Sequence, residues 1–521
     1  MLRGLLSVIV AVAIAGCPGG NGRVGDTCGG NDDCSDALQC LNRSCEPRCH
    51  RATECGDGYS CDERGLCEPA VLGASKSCES EVDCIAGFTC QTSGALDHGK
   101  LAAACNAEGK GHLPGAECSD DTDCQVGNCA LGHCMQLCSG FRDCPVGNTC
   151  MQIPHPVTVT ATFGACLPDE GLLSWTIPMK SPSGEVLVPI PEQGRSAELV
   201  ITVDDPNQKV GATSVLAPFT GDRLYKPPCS PDRPEDAPCD ANQSLDDYYQ
   251  NPIRHRPAFG QSVLMIPTAA EGPIRPGVYR VMVSSLRAND MPGSAIPQVT
   301  AVVQLNPERT MHLDLHFFFL GLDDHPCQAM MDGQTLNANT AAKSGFFQNQ
   351  YIGEMNTLLF KAGDQINIGT KTYEDIPDHP ELDGLDIANV GDLLQLGKYA
   401  TGINIFFVRS LSPIGLQAYG PNPGPAGIAN TRQSGIVIAL ETACYRDWQV
   451  LARITMHEIG RYMGLYHNVE LEVAQHPLWR DQIDDNDVED PRNNLMFFSE
   501  LGKGKITDRQ WDVLKRSAVL R

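Results

Sequence analysis

The run His457-Glu458-Ile459-Gly460-Arg461-Tyr462-Met463-Gly464-Leu465-Tyr466-His467 concentrates side chains that can do chemistry. Imidazoles offer lone pairs to metal ions and carry protons near neutral pH. A carboxylate beside one of them can take a proton from water. The apolar spacing predicts a helix from about Asp447 to Met463, stopped by Gly464. On a helix, residues three and four apart are neighbours, so Arg461 faces both His457 and Glu458. A glycine at 464 lets the chain break from the helix and swing His467 back toward them.

This stretch resembles the extended zinc motif of the metzincin peptidases, H-E-x-x-H-x-x-G-x-x-H. Asn493-Asn494-Leu495-Met496-Phe497-Phe498, with Met496 placed 29 residues after His467, resembles that family's Met-turn. The Gly- and Pro-rich loop from Gly420 to Gly427, followed by Ser434-Gly435-Ile436-Val437-Ile438, resembles the lead-in of bacterial lipoprotein members. The resemblance covers roughly residues 311 to 521. It implies zinc as the cofactor, His457 and His467 as metal ligands, and Glu458 as general base on a metal-bound water attacking a peptide carbonyl.

The departure sits at Arg461, where the family carries its second zinc histidine. A guanidinium has no lone pair to offer and stays protonated at any relevant pH. Its charge repels a divalent cation. Two imidazoles remain where a catalytic zinc needs three protein ligands and an open position. His325, His379 and His476 are substitute ligands in principle, but none stands at the motif spacing. Arg461 can also pair with Glu458 and draw it away from base duty.

The elements around this helix predict an α/β or α+β domain. Phe347 to Phe360 has helical spacing, and Ile366-Asn367-Ile368, Ile403 to Val408 and Ser434 to Leu440 look like buried strands. Cys327 and Cys444 are expected to pair, tying the domain's start to the front of the helix. Residues 167–310 change to β-branched runs between turn residues: Glu185 to Val188, Leu199 to Val203, Val263 to Ile266, Val278 to Val283 and Val299 to Leu305. A β-sandwich is the natural architecture for them, with Leu313 to Leu320 as a further strand. Cys229 and Cys239 bracket a Pro- and Asp-rich loop and are expected to form a local disulfide. His312, Asp314 and His316 alternate with apolar residues on one strand. A metal site is conceivable there, but a polar solvent face is the simpler reading.

Twenty of the 25 cysteines lie between Cys28 and Cys166 in five units of four. Each unit opens with a five-residue gap, as in Cys28-Cys34, Cys49-Cys55, Cys78-Cys84, Cys118-Cys124 and Cys138-Cys144. An acidic residue precedes the second cysteine every time: Asp33, Glu54, Asp83, Asp123 and Asp143. Modules this small cannot bury enough apolar surface to offset chain entropy, so cross-links do that work. The gaps lack the Cys-x2-Cys clips of zinc knuckles. A disulfide-rich stalk is expected over 28–166, in preference to a ligand-binding array; four cysteines per unit leave three pairings open.

The chain opens with Arg3, an apolar run from Leu5 to Ile14, and Ile14-Ala15-Gly16-Cys17, which resembles the bacterial lipobox. That resemblance implies a signal peptide over 1–16, acylation of Cys17, and a tether over 17–27. Pro18 after the cysteine points to the outer membrane or cell surface. Removing Cys17 leaves an even number of cysteines, as an oxidising compartment favours. The net charge of −25 argues against nucleic acid and against electrostatic docking on anionic lipid. The membrane is therefore a partner through the lipid anchor alone.

The expected whole is multi-domain: disulfide-rich repeats, a β-sandwich, then a metzincin-like α/β (α+β) domain over 311–521. The expected function is a degenerate pseudopeptidase whose cleft binds a peptide or protein partner, with zinc weak or absent. Two other readings remain open: an active zinc endopeptidase using Glu458, and a structural surface protein.

Overall fold

The computed structural model describes the chain from residue 26 onward, apart from 30–32, 36–37, 42–43, 50–58, 62–64, 66, 70–76, 98–99, 141–142, 156–160, 169–170, 226–253, 256, 267–273, 306–310, 321, 323–324, 326, 362–365, 378, 380–381, 383, 471–478, 481–482, 484–489 and 500–501. Cys17, Cys229, Cys239 and His476 lie outside the described residues. The protein is multi-domain and α+β, with cysteine-rich repeats followed by several β-sheets and a few helices. It divides into two compact units. One carries the repeats; the other runs from Leu167 to Arg521 and takes in Ala130–His133 and Met151–Phe163. Among the described residues no helix is long and apolar enough to cross a membrane.

In the repeat unit every described bridge stays within its own four-cysteine module. The first cysteine joins the third and the second joins the fourth: Cys28–Cys40 with Cys34–Cys45, Cys78–Cys90 with Cys84–Cys105, Cys118–Cys129 with Cys124–Cys134, and Cys138–Cys150 with Cys144–Cys166. Cys49–Cys61 follows the same rule. In the first three modules the last two cysteines face each other across a hairpin, as Cys40 opposite Cys45, Cys61 opposite Cys67 and Cys90 opposite Cys105. Each closed loop removes roughly 2–4 kcal/mol of freedom from the unfolded chain. The recurring acidic residue also has a physical role. Its carboxylate accepts the N–H of the residue after the module's first cysteine: Gly29 to Asp33, Glu79 to Asp83, Ser119 to Asp123, Ser139 to Asp143, all at 2.7–2.8 Å. Modules three and four are joined by buried Asn128, whose Nδ2 donates to the Cys90 carbonyl at 2.8 Å.

The larger unit contains two antiparallel sheets. The strands are β1 (Gly171–Pro178), β2 (Ser183–Ile190), β3 (Gly194–Thr202), β4 (Lys209–Leu216), β5 (Arg223–Tyr225), β6 (Arg254–His255), β7 (Ala258–Phe259), β8 (Gln261–Ile266), β9 (Gly277–Leu286) and β10 (Gln298–Leu305). One sheet runs β1-β10-β3-β8-β6; the other runs β2-β9-β4-β5, with β7 on β4. His255 of the first sheet bonds across to the second, its Nε2 accepting the Ala212 N–H at 2.9 Å.

A third, mixed sheet follows, built from β11 (Met311–Phe319), β12 (Ile366–Asp375), β13 (Ile403–Val408), β14 (Ala418–Tyr419) and β15 (Ile436–Ala439) in the order β12-β11-β13-β15-β14. All pairs are parallel except the edge strand β14, which runs antiparallel to β15. Parallel strands are covered on both faces, hence the nearly continuous apolar runs of β11, β13 and β15. Leu313, Leu315 and Phe317 enter one core, and Phe318 with Phe406 and Val408 the other. The first core is roofed by α1 (Ala338–Lys343), a π-turn over Phe346–Tyr351 continuing into α2 (Ile352–Leu358), and the site helix α4 (Trp448–Tyr462); α3 (Val390–Leu394) packs on the second.

The expected polar solvent face of β11 is corrected by this packing. Only His312 is exposed; Asp314 and His316 are buried. Asp314 accepts the Thr370 N–H at 2.6 Å and pairs with Arg521 at 2.7 Å. His316 stacks on Tyr399, its Nε2 2.9 Å from the Thr401 carbonyl. The strand lies inside the sheet, so its second face is covered too.

Candidate functional site

The site grows from α4. Asp447 caps its N-terminus by accepting the Val450 N–H at 2.8 Å. Leu451, Ala452, Thr455, Met456, Ile459 and Tyr462 recur every three or four residues and are buried against the sheet. His457, Glu458 and Arg461 therefore fall on the half-buried opposite side. The helix ends in a Schellman turn at Gly464 (φ +97°): Gly464 N–H donates to Arg461 O at 3.0 Å and Leu465 N–H to Gly460 O at 2.9 Å. That reversal returns His467 to the helix face it has just left.

The segment Asn493 to Phe498 closes on the helix from below. Met496 is fully buried, and a Cβ added at Gly460 would lie 2.8 Å from its sulfur, so a side chain there would have to displace Met496. Asn494 and Gln510 hold the turn by exchanging two amide hydrogen bonds of 3.0 Å, and Asn494 Oδ1 also accepts the Met496 N–H at 2.8 Å. The Leu495 carbonyl meets His457 Nδ1 at 2.9 Å. Carbonyls only accept, so Nδ1 carries the proton and Nε2 presents its lone pair.

That lone pair points at His467. The two Nε2 atoms lie 3.1 Å apart, and Arg461 Nη1 donates to His467 Nε2 at 2.8 Å. Both imidazoles thus aim lone pairs at one spot, and a guanidinium N–H stands there. Burial, seconded by the neighbouring His467 and Arg461, pushes His457 down to about 3, so it stays neutral. Glu458 is drawn toward the same cation, its Oε2 lying 3.7 Å from Arg461 Nε. Burial raises its pKa, opposed by Arg461, by His467 and by the Gly420 N–H that its carboxylate accepts.

Two nitrogens bound to one tetrahedral zinc at 2.0–2.1 Å sit roughly 3.4 Å apart, so the imidazoles converge as a metal pair would. The remaining residues do not fit the ion. The third ligand position is taken by a permanent cation that is already bonded to His467. His325 is buried elsewhere, its Nδ1 accepting the Cys327 N–H at 3.2 Å beside the Cys327–Cys444 disulfide. Neither His325 nor His379 is among the described residues lining the cavities beside Glu458.

Those cavities flank Glu458 and Arg461. One, of about 370 Å³, lies between the edge-strand approach Gly415–Ala418, α4 at His457 and Glu458, and the segment from Leu495 to Gly502. The other, of about 400 Å³, lies where Arg461 and the loop Tyr419–Pro423 meet Lys209, Phe259 and Asp290 of the antiparallel sheets. The loop is clamped from both sides: Tyr462 donates to Pro425 O at 2.7 Å, and the Ala426 N–H donates to buried Glu198 at 3.0 Å.

Sequence reasoning brought His457, Glu458, Arg461, His467 and Met496 to one place. It missed the Leu495 carbonyl, the Gly420 N–H and the contribution of the antiparallel sheets. Backbone groups leave no residue-type signal. Glu198 did leave one, as a lone carboxylate inside the strand run Ala197-Glu198-Leu199-Val200-Ile201. Comparison with the known protein families and with curated proteins finds no match.

Proposed function

We propose that this chain is a surface-anchored lipoprotein with a degenerate metzincin-like domain, a pseudopeptidase that holds a peptide or protein partner without cutting it. The observation that carries this reading is the Arg461 guanidinium, bonded to His467 at 2.8 Å and 3.7 Å from Glu458. A resident cation at that spot takes up the imidazole lone pair and the carboxylate charge that hydrolysis would need. Two open cavities beside the edge strand β14 support a binding cleft. An edge strand has unpaired backbone groups, and an extended peptide can bond to them.

The test is peptide retention by the full mature chain with micromolar zinc present and, in parallel, in excess chelator. Retention without cleavage is the expected result. Cleavage that stops when chelator is added would sink the reading. The anchor is tested apart, by Cys17→Ser, which should move the protein from the membrane fraction to the soluble one; continued pelleting would contradict lipidation.

A further inference from the structure

We propose that the cavity of about 400 Å³ beside Arg461 receives a carboxylate group of a bound peptide, held by the Arg461 guanidinium. This rests on the pseudopeptidase reading and names what the cleft recognises. The first observation is an imbalance of donors. A guanidinium has five N–H groups. Among the described residues Arg461 makes one hydrogen bond, to His467. Its Nε is buried without a partner, and 3.7 Å to Glu458 is too long for one. Glu458 spends its carboxylate on the Gly420 N–H instead. A half-buried guanidinium short of acceptors is matched by a planar anion that takes two of its N–H groups at once.

The second observation is the charge of the walls. The cavity is lined by two cations, Lys209 and Arg461, and one anion, Asp290, in a chain of net charge −25. Lys209 is bonded to Asp290 at 2.9 Å and lies over the Phe259 ring. Lys209 is thus already paired, and Arg461 meets Glu458 only at 3.7 Å, too far for a hydrogen bond, so its N–H groups are what the cavity offers a carboxylate. A phosphate dianion would leave excess charge facing Asp290. The third observation is the apolar lining from Phe259, Tyr419 and Pro423, which favours an acid carried on a peptide over a free small acid. Phe259 is half exposed and open to such a contact.

The carboxylate could be a peptide's C-terminus or an aspartate or glutamate side chain, and the experiment separates them. Immobilised full mature chain, in chelator, is offered a randomised hexapeptide library as free acids and the same library as C-terminal amides. The retained peptides are sequenced by mass spectrometry. Enrichment of free acids over amides by about tenfold, the scale of a charge-assisted pair, identifies the C-terminus. Equal retention with acidic residues enriched within the sequence identifies the side chain, and also supports the proposal. Arg461→Gln should abolish either preference, and Arg461→Lys, which keeps charge but not the fork, should retain only part of it. Retention of both libraries with no acid preference would overturn the carboxylate site while leaving the peptide cleft standing. No retention at all would overturn both.

Discussion

Arg461 Nη1 lies 2.8 Å from His467 Nε2, on the spot at which the lone pairs of His467 and His457 converge. One residue of the motif thus bonds to another in place of the ion both would share. The turn at Gly464 and the Leu495 carbonyl hold the two imidazoles in that place.

The scaffold depends on the buried amide pair of Asn494 and Gln510, which holds the Met496 turn. Removing Gln510 leaves the Asn494 Nδ2 donor buried without that partner, while Oδ1 keeps the Met496 N–H, at a cost of about 1–3 kcal/mol. Gln510→Leu should therefore lower the denaturation midpoint of the larger unit. A midpoint within error of the parent would contradict this account of the turn.

The disulfide rule extends to the second module. With Cys49 bonded to Cys61, Cys55 is expected to join Cys67, as second joins fourth in the other four modules. A peptide map of the non-reduced protein should recover that linked pair. A bridge from Cys55 into another module would break the rule.

Two buried groups give the stability curve opposite slopes. Burial pushes Glu198 up to about 8, outweighing the N–H bonds from Ala426 and Ala518. An unfolded glutamate titrates near about 4.3. Its contribution is therefore complete below that pH and is lost as pH rises through about 8. Burial pushes His255 down to about 4, while an unfolded histidine titrates near about 6.5. Its contribution is present above about 6.5 and is lost as pH falls through about 4. Glu198→Gln should flatten the decline in melting temperature between about pH 5 and pH 8, a difference on the order of a few kcal/mol. A decline of the same slope in that variant would show that Glu198 is not its source.

The sequence was legible where local chemistry repeats. Cysteine spacing and the acidic residue before each second cysteine marked the modules, because a 20-residue unit has few other ways to hold itself together. The period of α4, its cap at Asp447 and its stop at Gly464 were equally readable, since each is a local rule. The polar face of β11 was misjudged because burial of Asp314 and His316 depends on Arg521 and Tyr399, which are remote in the chain. The second cavity was invisible for the same reason: Lys209 and Phe259 approach Arg461 only through the packing of separate sheets. That Arg461 offers no lone pair to a metal follows from its residue type alone. That its guanidinium bonds to His467 follows from the turn at Gly464, which spacing alone does not specify.

The most direct measurement is the zinc content of the full mature chain beside that of Arg461→His, after both are dialysed against micromolar zinc. The parent should hold far less than one equivalent, because two imidazoles and a guanidinium make an incomplete and repulsive site. The variant should approach one equivalent, since His457 and His467 already converge and Leu495 already orients His457. Close to one zinc in the parent, together with peptide cleavage lost on Glu458→Gln, would contradict the account.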